Sequence, residues 1–235
     1  MGRIHIEQKT AHARAAQEYA VAMEGQMARR RKWWVWLIVA IVVAVLALAA
    51  IVALPILLHQ SAGQSGQEDP GDSWPTTVTA MGDDGRERTL SVATPDGGAV
   101  DTSAVEVGER VVVTGTGYDP GRGIYVAVCV VPEDASVKPG PCIGGSPQES
   151  QDPEANQGAV QFGESNWIND DWAWRLFGAR SFDAPGDFTA YLVMGEPGGE
   201  GFDCRVDRCG IFTRNDHTAS ADRVQDVYIP IRYAG

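Results

Sequence analysis

The 235-residue sequence predicts an all-β domain, an antiparallel β-sandwich of about seven strands, carried on a single N-terminal transmembrane α-helix. Three observations lead to this prediction. An uncharged apolar run, residues 33–58, directly follows a basic tetrad at residues 29–32. Short runs of β-branched and aromatic residues, broken by Gly, Pro, Asn and Asp, fill the chain from about Thr76 onward. All four cysteines lie in that same region.

The apolar run at residues 33–58 is long enough to cross a membrane. As a helix, its 26 residues would extend roughly 39 Å, against a hydrocarbon core of about 30 Å. Trp33, Trp34 and Trp36 cluster at the basic end, where indoles favour the headgroup level. A secretory signal peptide is the alternative, but its apolar region spans only about 7–15 residues, and no small-residue cleavage site follows this run. We therefore expect an uncleaved membrane anchor.

Charge asymmetry predicts the orientation of this anchor. Residues 1–32 carry seven Lys or Arg against three Glu, whereas residues 60–235 carry 12 basic and 28 acidic residues, a net charge of −16. Basic flanks of membrane spans stay in the cytoplasm. We expect a single-pass protein of the cell membrane, with residues 1–32 as a cytoplasmic N-terminal segment and an extracytoplasmic C-terminal domain. The acidity of that domain argues against nucleic acid as a partner and against direct lipid binding, because phosphates are repelled.

A flexible tether is predicted between the span and the domain. Residues 59–75 read HQSAGQSGQEDPGDSWP, a composition dominated by Gly, Ser, Gln, Asp and Pro. The remaining residues, 76–235, have a size that suits one domain with a core of its own.

Alternation of apolar and polar residues predicts the strands of this domain. Residues 123–131 are apolar on both faces, which indicates a central strand. Pro230 indicates an edge strand or a bulge, because proline donates no ladder hydrogen bond. The predicted strands are residues 77–80, 89–93, 110–116, 123–131, 159–162, 187–194, 210–214 and 226–233.

The four cysteines are even in number and follow the span, which favours disulfides. Three connectivities are possible. We prefer sequence-local pairing, Cys129 with Cys142 and Cys204 with Cys209, because each pair brackets a turn-rich stretch that a hairpin could close. A zinc site is the alternative, but the CxxC spacing and histidines that it needs are missing.

Two stretches around these cysteines resemble a known family. Residues 111–130, VVVTGTGYDPGRGIYVAVCV, followed by Cys142, are similar to the central portion of the neocarzinostatin and macromomycin type of actinobacterial immunoglobulin-like domain. Residues 202–233, with FDCRVDRCGIFTRNDH and DVYIPIRY, resemble its C-terminal portion, including the separation of the last two cysteines. The resemblance implies a seven-stranded immunoglobulin-like sandwich with two local disulfides and no enzyme activity. In the antibiotic members it also implies a cleft that holds an apolar chromophore.

This chain departs from that family in two respects. The antibiotic members are small secreted proteins, whereas this chain has a predicted anchor and a long insertion between Cys142 and Asp187. It looks closer to membrane-tethered envelope relatives of the fold. Because the insertion occupies the region where cleft residues would align, no cleft residue is carried over.

Motifs for catalysis are scarce in the domain. It contains one histidine beyond the tether, His217, and no GxSxG motif. An enzymatic interpretation would need His217 to act with Asp216 or Asp222. Asn169, Asp170 and Asp171 could ligate Ca²⁺, but they lack the spaced ligands of a calcium loop. We therefore expect no enzyme activity, no cofactor and no metal site.

Two clusters supply candidate interaction residues. Residues 167–177 contain three Trp and one Phe, which suit a protein-binding patch or the wall of an apolar cleft, with core packing as the alternative. Residues 213–226 carry alternating charges, which either pin a loop through Arg–carboxylate pairs or form a polar recognition surface. The candidates are Trp167, Trp172, Trp174, Arg175, Phe177, Arg214, Asp216 and His217.

The sequence therefore predicts a non-enzymatic, single-pass membrane protein. Its partners are expected to be the bilayer, through residues 33–58, and a protein that the β-sandwich binds in the cell envelope, with this chain as an accessory subunit of a membrane complex. The alternative is a binding module for an apolar small molecule or an envelope lipid, held in a neocarzinostatin-like cleft lined by Trp residues.

Overall fold

The computed structural model describes residues 33–144 and 161–234, apart from residues 52 and 55. The chain divides into two compact units, and the boundary falls between Leu57 and Leu58. In the first unit, Trp33–Ile51 is a helix (α1) of 19 residues, long and apolar enough to cross a membrane. A helix of this kind near the N-terminus fits a membrane anchor or a signal sequence. The predicted cytoplasmic segment, residues 1–32, lies outside the described residues.

The second unit is an antiparallel β-sandwich, as predicted. Its first sheet consists of Thr77–Met81 (β1), Glu87–Ala93 (β2), Arg110–Thr116 (β3) and Phe188–Val193 (β6), in the order β1-β2-β3-β6. Its second sheet consists of Ile124–Val130 (β4), Ser165–Ile168 (β5), Cys209–Asn215 (β9) and Tyr228–Ile231 (β10), in the order β10-β9-β4-β5. The short strands Gly198–Gly199 (β7) and Phe202–Asp203 (β8) form a ribbon. A one-turn helix, Trp172–Arg175 (α2), follows β5.

The core lies between the two sheets because alternate residues of each strand point inward. Threonine and serine occupy many of the outward positions of the first sheet, where the hydroxyls of Thr79 and Thr89 lie 3.1 Å apart. Burial of each large aliphatic side chain contributes about 1.5–3 kcal/mol. The buried residues include Leu90, Val92, Val111, Val113, Ile124, Val126, Val128, Leu192, Ile211, Val227, Ile229 and Ile231.

The structure confirms most of the predicted strands and corrects two details. β4 is central, between β9 and β5, and β10, which contains Pro230, is an edge strand. The sequence does not predict β5, because residues 165–168 lie within the insertion between Cys142 and Asp187. Residues 159–162 were predicted to form a strand, but residues 161 and 162 lie outside every strand, and residues 159–160 are not among the described residues.

Both disulfides are sequence-local, as predicted. Cys129 pairs with Cys142, and Cys204 pairs with Cys209. In the loop-entropy model, the two bonds stabilise the domain by about 3 and about 2 kcal/mol respectively. Because all four sulfurs are in disulfides, the zinc alternative is excluded for these cysteines.

Residues 59–69, which lie within the predicted flexible tether, make specific contacts with the sandwich; we call them the strap. His59 Nε2 lies 3.2 Å from Asp222 Oδ2, and both side chains are buried. The side-chain amide of Gln67 donates to the carbonyl oxygen of Tyr228 at 2.8 Å and accepts from the backbone N–H of the same residue at 2.7 Å. Gln67 thus takes the place of a neighbouring strand at the edge of β10, which leaves Tyr228 closed to pairing with another chain.

Candidate interaction site

A row of large side chains crosses the outer face of the second sheet. Because Ile124 and Val126 point into the core, the intervening Tyr125 points outward, and the strand register places Trp167 on one side of it and Arg214 on the other. The rings of Tyr125 and Trp167 lie 5.8 Å apart, and the guanidinium of Arg214 lies 5.8 Å from the centre of the Tyr125 ring. The sheet therefore brings together aromatic and cationic residues from three strands.

Asp216 fixes the aromatic end of this row. It is fully buried, and one carboxylate oxygen accepts from Trp167 Nε1 and from Asn169 Nδ2, each at 2.9 Å. The other oxygen accepts from the backbone N–H and the hydroxyl of Thr218, at 2.8 and 2.6 Å, and so caps a short 3-10 helix. A Cβ at Gly123 would lie 1.9 Å from Asp216 Oδ2, so this close approach requires glycine.

His217 joins the two candidate clusters that the sequence predicts separately. Its Nδ1 lies 3.0 Å from the Tyr125 hydroxyl. The imidazole stands edge-on to Trp174, at 4.7 Å between ring centres, and 5.4 Å from Trp167. Burial, and next the charge of Asp216, raise the pKa of Tyr125 to about 12, so its phenol stays protonated and can donate to His217. Residues from 167–177 and from 213–226 thus form one structural unit.

Side-chain hydrogen bonds from residues 169–171 hold α2 in place at the end of β5. Asn169 Oδ1 accepts from the backbone N–H of Asp171 at 2.8 Å, and Asp171 caps the helix by accepting from the N–H of Ala173 at 2.9 Å. Asp170 Oδ1 accepts from the N–H of Phe182 at 3.0 Å. The three side chains considered as calcium ligands therefore serve the local chain fold. Among the described residues, no group of three or more His, Cys, Asp or Glu could hold a metal ion.

The outward side of this segment is apolar and exposed. Trp172 and Leu176 each expose 75% of their surface, and Phe177 exposes 57%. Trp172 and Leu176 line a groove that also includes Arg175 and Arg180. We call these five residues the α2 surface. The cluster that holds it is called the anchor, a name distinct from the predicted membrane anchor, and consists of buried Trp167, Asn169 and Asp216, half-buried Trp174 and exposed His217.

The eight predicted candidates thus fall into different positions. Trp167 and Asp216 are buried, Trp172, Arg175 and Phe177 are exposed, and Trp174 is half-buried between them. The remaining two, Arg214 and His217, belong to the row on the sheet and to the anchor.

Sequence reasoning missed four members of this site, namely Tyr125, Asn169, Leu176 and Arg180. Alternation in β4 does place Tyr125 on the outward face. Its neighbours could not be identified, because the pairing of β4 with β5 was not predicted.

The three side chains that an enzymatic interpretation would need, those of His217, Asp216 and Asp222, each contact other partners. The His217 ring contacts the Tyr125 hydroxyl, whereas the Asp216 carboxylate binds Trp167, Asn169 and Thr218. The Asp222 carboxylate contacts His59 and Ser61 of the strap. The structure therefore does not assemble His217 with either carboxylate into an acid–base pair.

A second feature of the outer face is a pocket of about 140 Å³ between the strap and the chain that follows β4. The stacked rings of Phe212 and Tyr228, 4.7 Å apart, form part of its wall, together with Val131 and Val137. Asp226 also lines it, and only 7% of that residue is exposed. Arg223 Nη1 donates to Asp226 Oδ2 at 2.7 Å, while Oδ1 has no hydrogen-bond partner among the described residues. Burial raises the pKa of Asp226 to about 7, against the opposing charges of Arg223 and Arg214.

Comparison with known proteins gives one similar structure. No protein-family model matches the sequence, and no curated protein matches it. Among solved structures, macromomycin is similar, with a TM-score of 0.35 and 18% sequence identity, over 62% of this chain and 99% of macromomycin.

Proposed function

We propose that this protein is a non-enzymatic binding protein of the cell envelope, held in the membrane by α1, whose extracytoplasmic sandwich docks a protein partner on the α2 surface. The basic residues of segment 1–32 support a cytoplasmic N-terminus. The single observation that carries the docking proposal is the exposure of Trp172 and Leu176 on the segment whose Trp174 packs into the anchor.

Exposure of apolar side chains on the α2 surface costs free energy in the unbound protein. Leaving a large apolar side chain in water forgoes about 1.5–3 kcal/mol of burial free energy. Contiguous exposed apolar patches commonly mark interaction sites, and Trp and Arg dominate the binding energy of protein interfaces. Trp172, Leu176 and Phe177 form such a patch, with Arg175 on the same turn of chain.

The anchor supports docking because it orders this patch in advance. Trp174 packs against His217 and Trp167, and its ring centre lies 6.4 Å from that of Phe177. Binding then requires less ordering of α2, which favours affinity. A membrane surface suits this patch less well, since a domain with a net charge of −16 repels anionic headgroups.

Site-specific crosslinking of the full-length chain in its native membranes tests the proposal. A photoreactive residue at position 172 should crosslink one protein in stoichiometric amount. The double variant Trp172→Ser with Leu176→Ser should lose that protein from affinity purification. Val206→Ser is the matched control, because Val206 is 83% exposed but lies in the Cys204–Cys209 loop. A clean monomer in mild detergent, or equal recovery with the double variant, would overturn the proposal.

The pocket beside Phe212 and Tyr228 favours a second function, the binding of an apolar small molecule or an envelope lipid. Its stacked aromatic wall and the neighbouring Val131 and Val137 provide apolar contact area. Native mass spectrometry of the full-length chain, after exposure to an envelope-lipid extract, should show a bound apolar species. Val137→Arg, at an exposed position of the wall, should remove it. A protein that emerges without any bound species would exclude this function.

A further inference from the structure

Within the proposed docking function, on which this inference rests, we infer that the α2 surface recognises an acidic-apolar segment of a protein, in which an Asp or Glu neighbours a large apolar side chain. The groove is lined by Trp172, Arg175, Leu176, Ala179, Arg180 and Ser181. Its lining therefore includes two arginines and no Asp or Glu.

The two arginines of this groove differ from six of the other nine in the domain. The six that have an aspartate oxygen within 4.0 Å are Arg86, Arg88, Arg122, Arg205, Arg208 and Arg223. Neither Arg175 nor Arg180 has a carboxylate oxygen within 4.0 Å among the residues that the structure describes. In a domain with 28 acidic and 12 basic residues, two arginines without an acidic partner on one groove form a local cationic site.

Arg180 is held in a defined position. Its backbone N–H donates to the Trp167 carbonyl at 2.8 Å, and its carbonyl accepts from the Asn169 N–H at 2.7 Å, so it continues the edge of β5. Its guanidinium lies 4.8 Å from the centre of the Tyr191 ring. A guanidinium ordered in this way loses little freedom when it binds a carboxylate through paired N–H donors.

The apolar part of the groove specifies the second feature of the partner. Ala179 has a small, buried side chain, and the exposed side chains of Trp172 and Leu176 line the same groove. An apolar side chain of the partner would remove these two from water while its neighbouring carboxylate meets Arg175 or Arg180. An anionic lipid offers the same charge, but its approach brings the remaining acidic surface of the domain against a negative membrane.

The test uses the full-length chain in nanodiscs of neutral lipid and an array of short peptides. Each peptide presents Phe or Leu beside a central Glu, Gln or Lys. The Glu peptides should bind at least tenfold more tightly than their Gln counterparts, and this preference should weaken as salt rises from about 50 to about 500 mM, because screening acts on exposed charges. Arg175→Glu with Arg180→Glu should transfer the preference to the Lys peptides, and Arg175→Glu alone, at an exposed position, should weaken the Glu preference without changing the melting temperature.

Control variants separate the inference from the function beneath it. Arg205→Glu, an exposed arginine in the Cys204–Cys209 loop, should keep the Glu preference. Equal binding of Glu and Gln peptides, or no binding of the Glu peptides, would overturn the acidic partner. If the peptides bind equally to the wild-type protein but not to Trp172→Ser with Leu176→Ser, docking on this surface would still be supported. Stronger capture by anionic vesicles than by peptides, abolished by the charge reversal, would assign the groove to a membrane instead. Undiminished peptide binding by the Trp172 and Leu176 variant would overturn the docking function itself.

Discussion

Trp167 and Trp172 lie five residues apart in the same segment, yet they belong to different regions of the molecule. Trp167 is 5% exposed, and its indole N–H donates to a buried carboxylate. Trp172 is 75% exposed, on the outer side of α2. The difference teaches that the two tryptophans serve two purposes: the first orders the chain, and the second is presented to solvent by that order.

The α2 surface therefore depends on the anchor for its order, whereas the anchor does not depend on the α2 surface. Removing the anchor should disorder the surface, because Trp174 and the start of α2 rest on Trp167, His217 and Asn169. Removing the side chains of the surface should leave the anchor intact, since they contribute little to its packing.

The largest expected effect comes from Trp167→Ala. Loss of a buried indole should lower the free energy of unfolding by about 3–5 kcal/mol, whereas Trp172→Ala should change it by less than about 0.5 kcal/mol. Urea denaturation, followed by circular dichroism, measures both. Similar losses in the two variants would show that the two tryptophans belong to one packed cluster.

A second effect tests the hydrogen bonds of the anchor. Asp216→Ala leaves the donors of Trp167, Asn169 and Thr218 without their acceptor, and we expect a loss of about 3 kcal/mol, since each buried unsatisfied donor costs about 1–3 kcal/mol. Asp171→Ala removes only the exposed cap of α2 and should cost about 1 kcal/mol. The same denaturation measurement compares them. An Asp171 variant as unstable as the Asp216 variant would place α2 within the cooperative core.

How much of this the sequence predicts depends on the distance over which each feature is determined. Alternation within single strands identifies β3, β4, β9 and β10, and the spacing of the cysteines favours the observed disulfides, because these features are local. The fate of the tryptophans is not local. Trp167 is buried because β5 pairs with β4 and because Asp216, 49 residues away, accepts its N–H.

The strap shows the same limit more strongly. Its Gly, Ser and Gln residues have the composition of a flexible linker, and composition alone predicts no contact. Gln67 is nevertheless bound to Tyr228, 161 residues away, because the open edge of β10 offers an N–H and a carbonyl that one side-chain amide satisfies together. Such pairing depends on the completed sheet.

A smaller effect concerns the pH dependence of stability. It involves Asp226, which lines the pocket beside Phe212 and Tyr228 and does not belong to the α2 surface. Because burial raises the pKa of Asp226 to about 7, the folded state holds this proton more tightly than the unfolded chain. Its contribution to stability is fully present below the unfolded pKa and is lost as pH rises through about 7. The melting temperature of the wild-type protein should therefore fall between pH 5 and pH 8 by more than that of Asp226→Asn.

Subtracting the pH dependence of the Asp226→Asn variant from that of the wild-type protein removes the contribution of every other titratable group, because the two proteins share those groups. Parallel melting curves across the same pH range would show that Asp226 carries its charge in the folded state throughout. Binding at the α2 surface contains no contribution from Asp226 and should not follow this pH dependence.

The smallest effect on stability is expected for the double variant Trp172→Ser with Leu176→Ser. Both side chains are 75% exposed, so their removal withdraws little area from the folded core, and the midpoint of urea denaturation should stay within error of the wild-type value. The variant should nevertheless fail to recover the crosslinked partner, since the apolar contact area of the groove is gone. If it instead unfolded at lower urea, Trp172 and Leu176 would contribute to the same packing as Trp167, and their exposure would no longer indicate a surface kept for a partner.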